Sequence, residues 1–268
     1  MLLRFFSKIF IISLCSFAAQ AETITIVGVP TLVSEDRLNI PSLGPTNDGE
    51  LPKTLLIASV TTIDVPESPN FVDPSNPNGT DIFYGGKAIW HLQIFDANAN
   101  KIFAWSNTDS DWGAMRGFYY DQLAFENQCR VNPPYDEAVC NELTIEASQG
   151  VFEGSIFSED GVQFRVYGAD LFEFSGGYPL SFPDFPEFLD SRISRSMILI
   201  GRSKLDTSTG NNVGRALYEF QPIEFCSKDL GASAYAACLN RIKAGVKNAG
   251  YTGKALGTLQ SELAWPKE

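Results

Sequence analysis

The stretch Gly85–Trp105, GGKAIWHLQIFDANANKIFAW, constrains the fold more than any other part of the chain. Ala88, Trp90, Leu92 and Ile94 alternate with Ile89, His91, Gln93 and Phe95, the period-two pattern of a strand whose successive side chains point to opposite faces. Asp96–Asn100 supplies the Asp and Asn residues of a tight turn, and Ile102–Trp105 returns as a second, aromatic strand. Both faces carry large apolar groups, so the hairpin is expected inside a sheet covered on both sides.

Similar segments recur along the chain. Thr23–Val27 and Leu55–Val65 read as strands rich in β-branched residues, and Leu143–Ala147 and Leu171–Phe174 as shorter ones. Val151–Ser158 and Val162–Tyr167 are expected to pair as a hairpin around Glu159-Asp160-Gly161, and Ser196–Leu205 to pair with Arg215–Phe225. Ala114–Phe125 suits a strand or a short helix equally. Between these lie three loops punctuated by proline: Pro30–Pro52, Pro66–Gly79 and Gly176–Asp190. Eight to ten short strands at this spacing predict a mainly β chain, an antiparallel β-sandwich or jelly-roll-like domain.

From Ser227 the period changes to that of a helix. Tyr235, Leu239, Ile242 and Val246 share one face, Ser227 is a candidate N-cap, and Gly250 is a candidate stop. A second short helix is expected over Gly253–Trp265, before Pro266. The chain thus divides into residues 1–21, a β-sandwich domain over 22–226, and a two-helix tail over 227–268 packed on the body.

Residues 1–21 have the form of a signal peptide. Arg4 and Lys8 precede the apolar run Ile9–Ala18, and Ala19-Gln20-Ala21 is a small-x-small cleavage site before Glu22. That run is about ten residues, half the roughly 20 a spanning helix needs. The product is therefore expected to be exported, periplasmic or extracellular, and not an integral membrane protein. Removing the leader leaves 18 basic and 32 acidic residues, a balance that argues against nucleic acid as a partner. The tail from Ser227 runs the other way, with six basic and three acidic residues. Docking of this basic tail on the acidic body is weighed against its use as a partner-binding arm. Cys129, Cys140, Cys226 and Cys238 remain, an even number that reads as two disulfides; the local pairs Cys129–Cys140 and Cys226–Cys238 are favoured. Each loop would contribute about 2–3 kcal/mol in the chain-entropy model.

The candidate sites follow from which residue types are present. The single histidine, His91, cannot furnish the usual zinc set, and no nucleophile-elbow, phosphate-loop or dinucleotide pattern occurs. Carboxylate chemistry remains open: Asp109 and Asp111, beside Trp112, form the candidate acid and base of a polysaccharide-acting enzyme. Trp105, Trp112, Tyr119 and Tyr120 are the candidate ligand-binding aromatics. Asp96, Asn98 and Asn100 give the D-x-N-x-N opening of a calcium loop, and calcium is the one cofactor suggested. The pattern then departs from such loops, since Lys101 takes the glycine position and Asn107 the place of the bidentate Glu. A plain hairpin turn uses the same residues. Three functions remain in view: a binding module for a glycan or an envelope or surface protein, a carboxylate enzyme, and a structural subunit pairing through its first strand or its tail.

Overall fold

The computed structural model describes residues 22–33, 51–65, 70–73, 79–107, 112–120, 140–148, 152–153, 156–157, 160–169, 171, 174–175, 178–179, 188–206, 211–228 and 231–263. The strands in chain order are β1 (Glu22–Val33), β2 (Leu55–Ile63), β3 (Phe71–Asp73), β4 (Gly79–Gly85), β5 (Lys87–Phe95), β6 (Lys101–Ser106), β7 (Trp112–Tyr120) and β8 (Cys140–Ser148). There follow β9 (Phe152–Glu153), β10 (Ile156–Phe157), β11 (Asp160–Ala169), β12 (Phe174–Ser175), β13 (Tyr178–Pro179), β14 (Ile193–Asp206) and β15 (Asn211–Ser227). Two helices, α1 (Ala232–Asn248) and α2 (Gly253–Leu263), close the described chain.

The protein is mainly β and antiparallel, with its helices at the C-terminal end. Eleven strands form one sheet in the order β3-β4-β7-β8-β11-β14-β15-β1-β2-β5-β6. In place of the two stacked sheets of a sandwich, this single sheet curls. The connectivity requires it: β4 is second from one end and β5 second from the other, yet only Gly86 separates them. The two ends of the sheet must therefore lie together in space. In agreement, Cα atoms of β5 come within 8 Å of β7 and β8, with which β5 forms no ladder.

Gly85 and Gly86 make this corner with φ of 76° and 78°, a region L side chains enter at a cost. A Cβ on Gly86 would lie 3.0 Å from Val65 Cγ2 and 3.1 Å from Ile63 O. The corner thus packs against the end of β2.

The alternation seen in the sequence fills the inside of the curl. Register places Phe225, Ile26, Ala58, Leu92 and Trp105 opposite one another from β15 through β1, β2 and β5 to β6, and Ile145, Phe164, Ile198 and Phe220 from β8 through β11 and β14 to β15. Trp90, Tyr84 and Tyr218 are fully buried in the same core. Burying each large apolar side chain contributes about 1.5–3 kcal/mol. Phe225 also meets Phe164 and Phe188 edge-to-face at 5.2 Å, a favoured ring geometry.

On the convex side, Val27, Leu55, Ile57, Phe95 and Cys226 are covered by Cys238, Ile242 and Val246 of α1, with Tyr251 and Leu259. The buried positions of α1 fall every four residues, the spacing of one helix face. Tyr235 and Leu239 flank them half-buried, and Tyr235 shares a 3.3 Å hydrogen bond with Thr25. Gly250 stops α1 with φ of 86°. Its N–H donates to Lys247 O, and the Tyr251 N–H donates to Val246 O, the two bonds of a Schellman motif.

Several expectations are corrected. The hairpin partner of β11 is not the segment before it: β11 pairs with β8 and β14, while β9 and β10 pair only with each other. Leu143, Ile145 and Ala147 offer β11 three inward positions in register, more than the two-residue strands can. Residues 112–120 are strand, not helix. The central hairpin is not covered on both faces along its length, because β6 ends the sheet and His91 is exposed; only its turn end, Phe95 and Ala99, lies under the helices. Ser227 ends β15, and α1 begins after Gly231 with no side-chain cap.

Candidate functional site

The chain crosses the seam between the two ends of the sheet a second time, from β6 to β7. Asn107 anchors this crossing. Its Oδ1 accepts from Trp90 N–H at 2.7 Å and its Nδ2 donates to Ala88 O at 2.8 Å, both buried. β6 pairs with β5 only as far as His91–Ser106, so the Asn107 amide continues the ladder where the strand has ended. A side-chain amide suits this, since it carries one acceptor and one donor side by side.

Trp105 lies two residues before the anchor, half-buried against the inner core, with an Nε1–H that has no partner among the described residues. Trp112 is the first residue of β7, opposite Ser148. The two tryptophans therefore flank the crossing. Tyr119 and Tyr120 pair with Asn141 and Cys140 at the other end of β7, seven or eight residues on, about 25 Å along an extended chain. The four aromatics are not gathered at one place. Asp109 and Asp111 lie outside the described residues, as does Cys129.

The Asp96 turn is described in full. Asp96 Oδ1 accepts from the N–H groups of Asn98 and Asn100, both at 2.8 Å, and Oδ2 accepts from Asn100 Nδ2 at 2.9 Å. Partial desolvation raises the Asp96 pKa, but these bonds from Asn100 and Asn98 outweigh it and hold the carboxyl below its ordinary value. The turn places Ala99 at φ 61° and tucks it under the helices. Asp96, Asn98 and Asn100 are thus together, the Asp96 carboxylate accepting from the Asn98 backbone and from the backbone and side chain of Asn100.

Beside this turn, the Tyr251 hydroxyl is buried with no partner among the described residues. Burial and the Asp96 charge push that phenol well above its ordinary pKa. Lys53 holds its Nζ 5.0 Å from the Tyr251 ring centre and donates to Gly250 O at 2.8 Å.

Two polar clusters on the convex face escaped the sequence reading. In one, fully buried Glu146 accepts from Gln163 Nε2 at 2.6 Å, and Arg165 donates to Gln163 Oε1 and to the Tyr167 hydroxyl. The polar positions Thr144, Glu146, Gln163 and Arg165 alternate with apolar ones, so each strand was legible; their meeting depended on the unrecognised β8–β11 register. In the other, Glu224, 3% exposed, accepts from Arg241 Nε at 2.8 Å across the β15–α1 interface. It lies beside the Cys226–Cys238 disulfide, with Glu224 Oε1 3.6 Å from Cys238 Sγ.

No family model, curated protein or solved structure matches this chain.

Proposed function

We propose that the protein is an exported, disulfide-braced β domain that acts by binding, with a glycan or an envelope or surface protein as its ligand. The observation that carries this reading is the end of the sheet. β6 pairs with β5 on one side and, among the described residues, with no strand on the other. It carries Trp105 half-exposed at the mouth of the crossing that leads to Trp112. An aromatic ring on a free strand edge can stack on a sugar face or seat a peptide side chain, while the edge offers N–H and C=O groups to an added strand. Export is supported by the leader-like residues 1–21 and by the Cys226–Cys238 bond, a type of bridge that persists in oxidising compartments. No helix among the described residues is long and apolar enough to cross a membrane.

The test is retention of the protein on a glycan panel and an envelope-protein panel, followed by titration of each hit with Trp105→Leu. Leucine keeps apolar packing and removes the ring. A loss of tenfold or more in affinity with unchanged circular dichroism supports the reading. Equal affinity, or no retention on either panel, overturns it.

A second reading, hydrolysis of a polysaccharide by Asp109 and Asp111, draws on one observation. The segment that carries them runs only from Asn107, held by two buried hydrogen bonds, to Trp112 in β7. Shortened glycan chains by mass spectrometry, abolished by Asp109→Asn, would favour it over binding alone.

A further inference from the structure

The Glu224 cluster supports more than a brace. One carboxylate oxygen of Glu224 and the sulfurs of Cys226 and Cys238 all lie within 4.8 Å of one another, and all three residues are buried. Glu224 and Cys226 come from one face of β15, while Cys238 comes from α1 above them. We propose that, when its disulfide is reduced, this cluster is a binding site for a thiophilic divalent cation of the zinc type.

Geometry and charge both point this way. Tetrahedral zinc with bonds of about 2.3 Å to sulfur and 2.0 Å to oxygen needs S···S near 3.8 Å and S···O near 3.5 Å. The Glu224 Oε1–Cys238 Sγ distance is already 3.6 Å. The two Cα atoms of the disulfide are 5.9 Å apart, so side-chain rotation alone lets the sulfurs separate to that spacing.

Two thiolates and one carboxylate bring three negative charges; a divalent cation and the Arg241 guanidinium bring three positive ones. The loaded cluster is neutral, which is what a buried site requires. Arg241 binds the other oxygen of Glu224 at 2.8 Å and so orients Oε1 toward the sulfurs. This is the outer-shell support that metal-binding carboxylates use. Three protein ligands leave one coordination position for water or a small thiol.

The chemistry balances without an unnamed reagent. A dithiol reductant gives two electrons to the S–S bond and closes to its own disulfide, and its two protons end on Cys226 and Cys238. The cation then displaces both protons. A newly made chain holds the same two thiols before oxidation and needs no reductant.

The experiment reduces the folded protein anaerobically with a phosphine, which ends as phosphine oxide with oxygen from water. The reduced protein is then titrated with Co2+ alone. The expected result is one equivalent bound, with thiolate-to-cobalt charge-transfer absorption and unchanged circular dichroism. Zn2+ should displace the cobalt. Glu224→Gln, which leaves both thiols in place, should weaken binding at least tenfold. Cys226→Ser with Cys238→Ser should abolish the band, whereas Cys129→Ser with Cys140→Ser should leave it. No charge-transfer band, a band that follows Cys129 and Cys140, or unfolding of the tail on reduction would each overturn the proposal.

Discussion

Asn107 offers the sharpest test of how the curl is closed. Replacing it with alanine removes the acceptor of the Trp90 N–H and the donor to Ala88 O, both buried. A buried backbone group left without a partner costs about 1–3 kcal/mol, so two orphaned groups cost about 2–6 kcal/mol together. Against a total stability of roughly 5–15 kcal/mol this is a large fraction. With an m-value near 3 kcal/mol per molar urea, the midpoint should fall by about 0.7–2 M.

Asn107→Asp separates the two bonds. The carboxylate still accepts from Trp90 N–H but turns a lone pair toward Ala88 O, so at pH 7 this variant should be no more stable than the alanine variant. Its carboxyl would titrate higher in the folded chain than in the unfolded one, because the protonated form restores the donor. Stability is then present below the unfolded value, near 3.9, and is lost as pH rises through the folded one. Urea titrations at several pH values measure both effects. A cost below about 0.5 kcal/mol for Asn107→Ala, or an Asp variant indifferent to pH, refutes the assignment.

Three further outcomes follow from the geometry. Gly86→Ala should cost distinctly more than Gly253→Ala: both have positive φ, worth about 1–2 kcal/mol, but at Gly86 the new Cβ meets backbone at 3.1 Å, whereas at Gly253 nothing lies within 4 Å. Equal costs by urea titration would show that the corner does not pack as described. Tyr251→Phe should be neutral or stabilising in thermal melts, since it deletes a buried hydroxyl with no partner among the described residues; a loss above about 1 kcal/mol means the hydroxyl is hydrogen-bonded. The Asp96 carboxyl is held low, so its contribution is present above the unfolded pKa and lost as pH falls through the folded value. Melts from pH 7 to 2 should therefore show Asp96→Ala destabilised at neutral pH and converging with the parent in acid.

What could be read from the sequence was whatever repeats locally. Ala88, Trp90, Leu92 and Ile94 revealed their inward face because a strand's side chains alternate regardless of its neighbours. Cys226 and Cys238 could be paired because they lie twelve positions apart with a helix start between them. Strand order was not legible, because it depends on non-local pairing. In the sequence, Gly85-Gly86 is no more than the start of the central hairpin, and β4 before it carries no reading of its own. Nothing local says that these glycines carry the chain from one end of an eleven-stranded sheet to the other. The same gap hid the polar clusters: Glu146 meets Gln163, and Glu224 meets Arg241, only after strands or a helix distant in sequence are placed. Ser227 shows the opposite error, a good local cap overridden by two more residues of pairing with β1.

The packing of the tail decides between an arm and a wall. β1 is paired on both sides, with β15 and β2, so the first strand has no free edge for a neighbouring subunit. α1 and α2 spend their apolar faces on Val27, Leu55, Ile57 and Phe95. Ending the chain after Ser227 would expose these four side chains, at about 1.5–3 kcal/mol each. The sum, about 6–12 kcal/mol, matches the whole stability of an ordinary domain. The shortened chain should therefore be found aggregated or susceptible to protease, with raised binding of a hydrophobic dye. A partner-binding arm predicts something else: a folded monomer that keeps its urea midpoint and loses only association. Size-exclusion chromatography with limited proteolysis distinguishes the two, and a protease-resistant monomer of undiminished stability would refute the docked tail. Isolated reduction of Cys226–Cys238 should be far milder than truncation, because Ile242, Val246 and Leu259 would still hold the helices to the sheet.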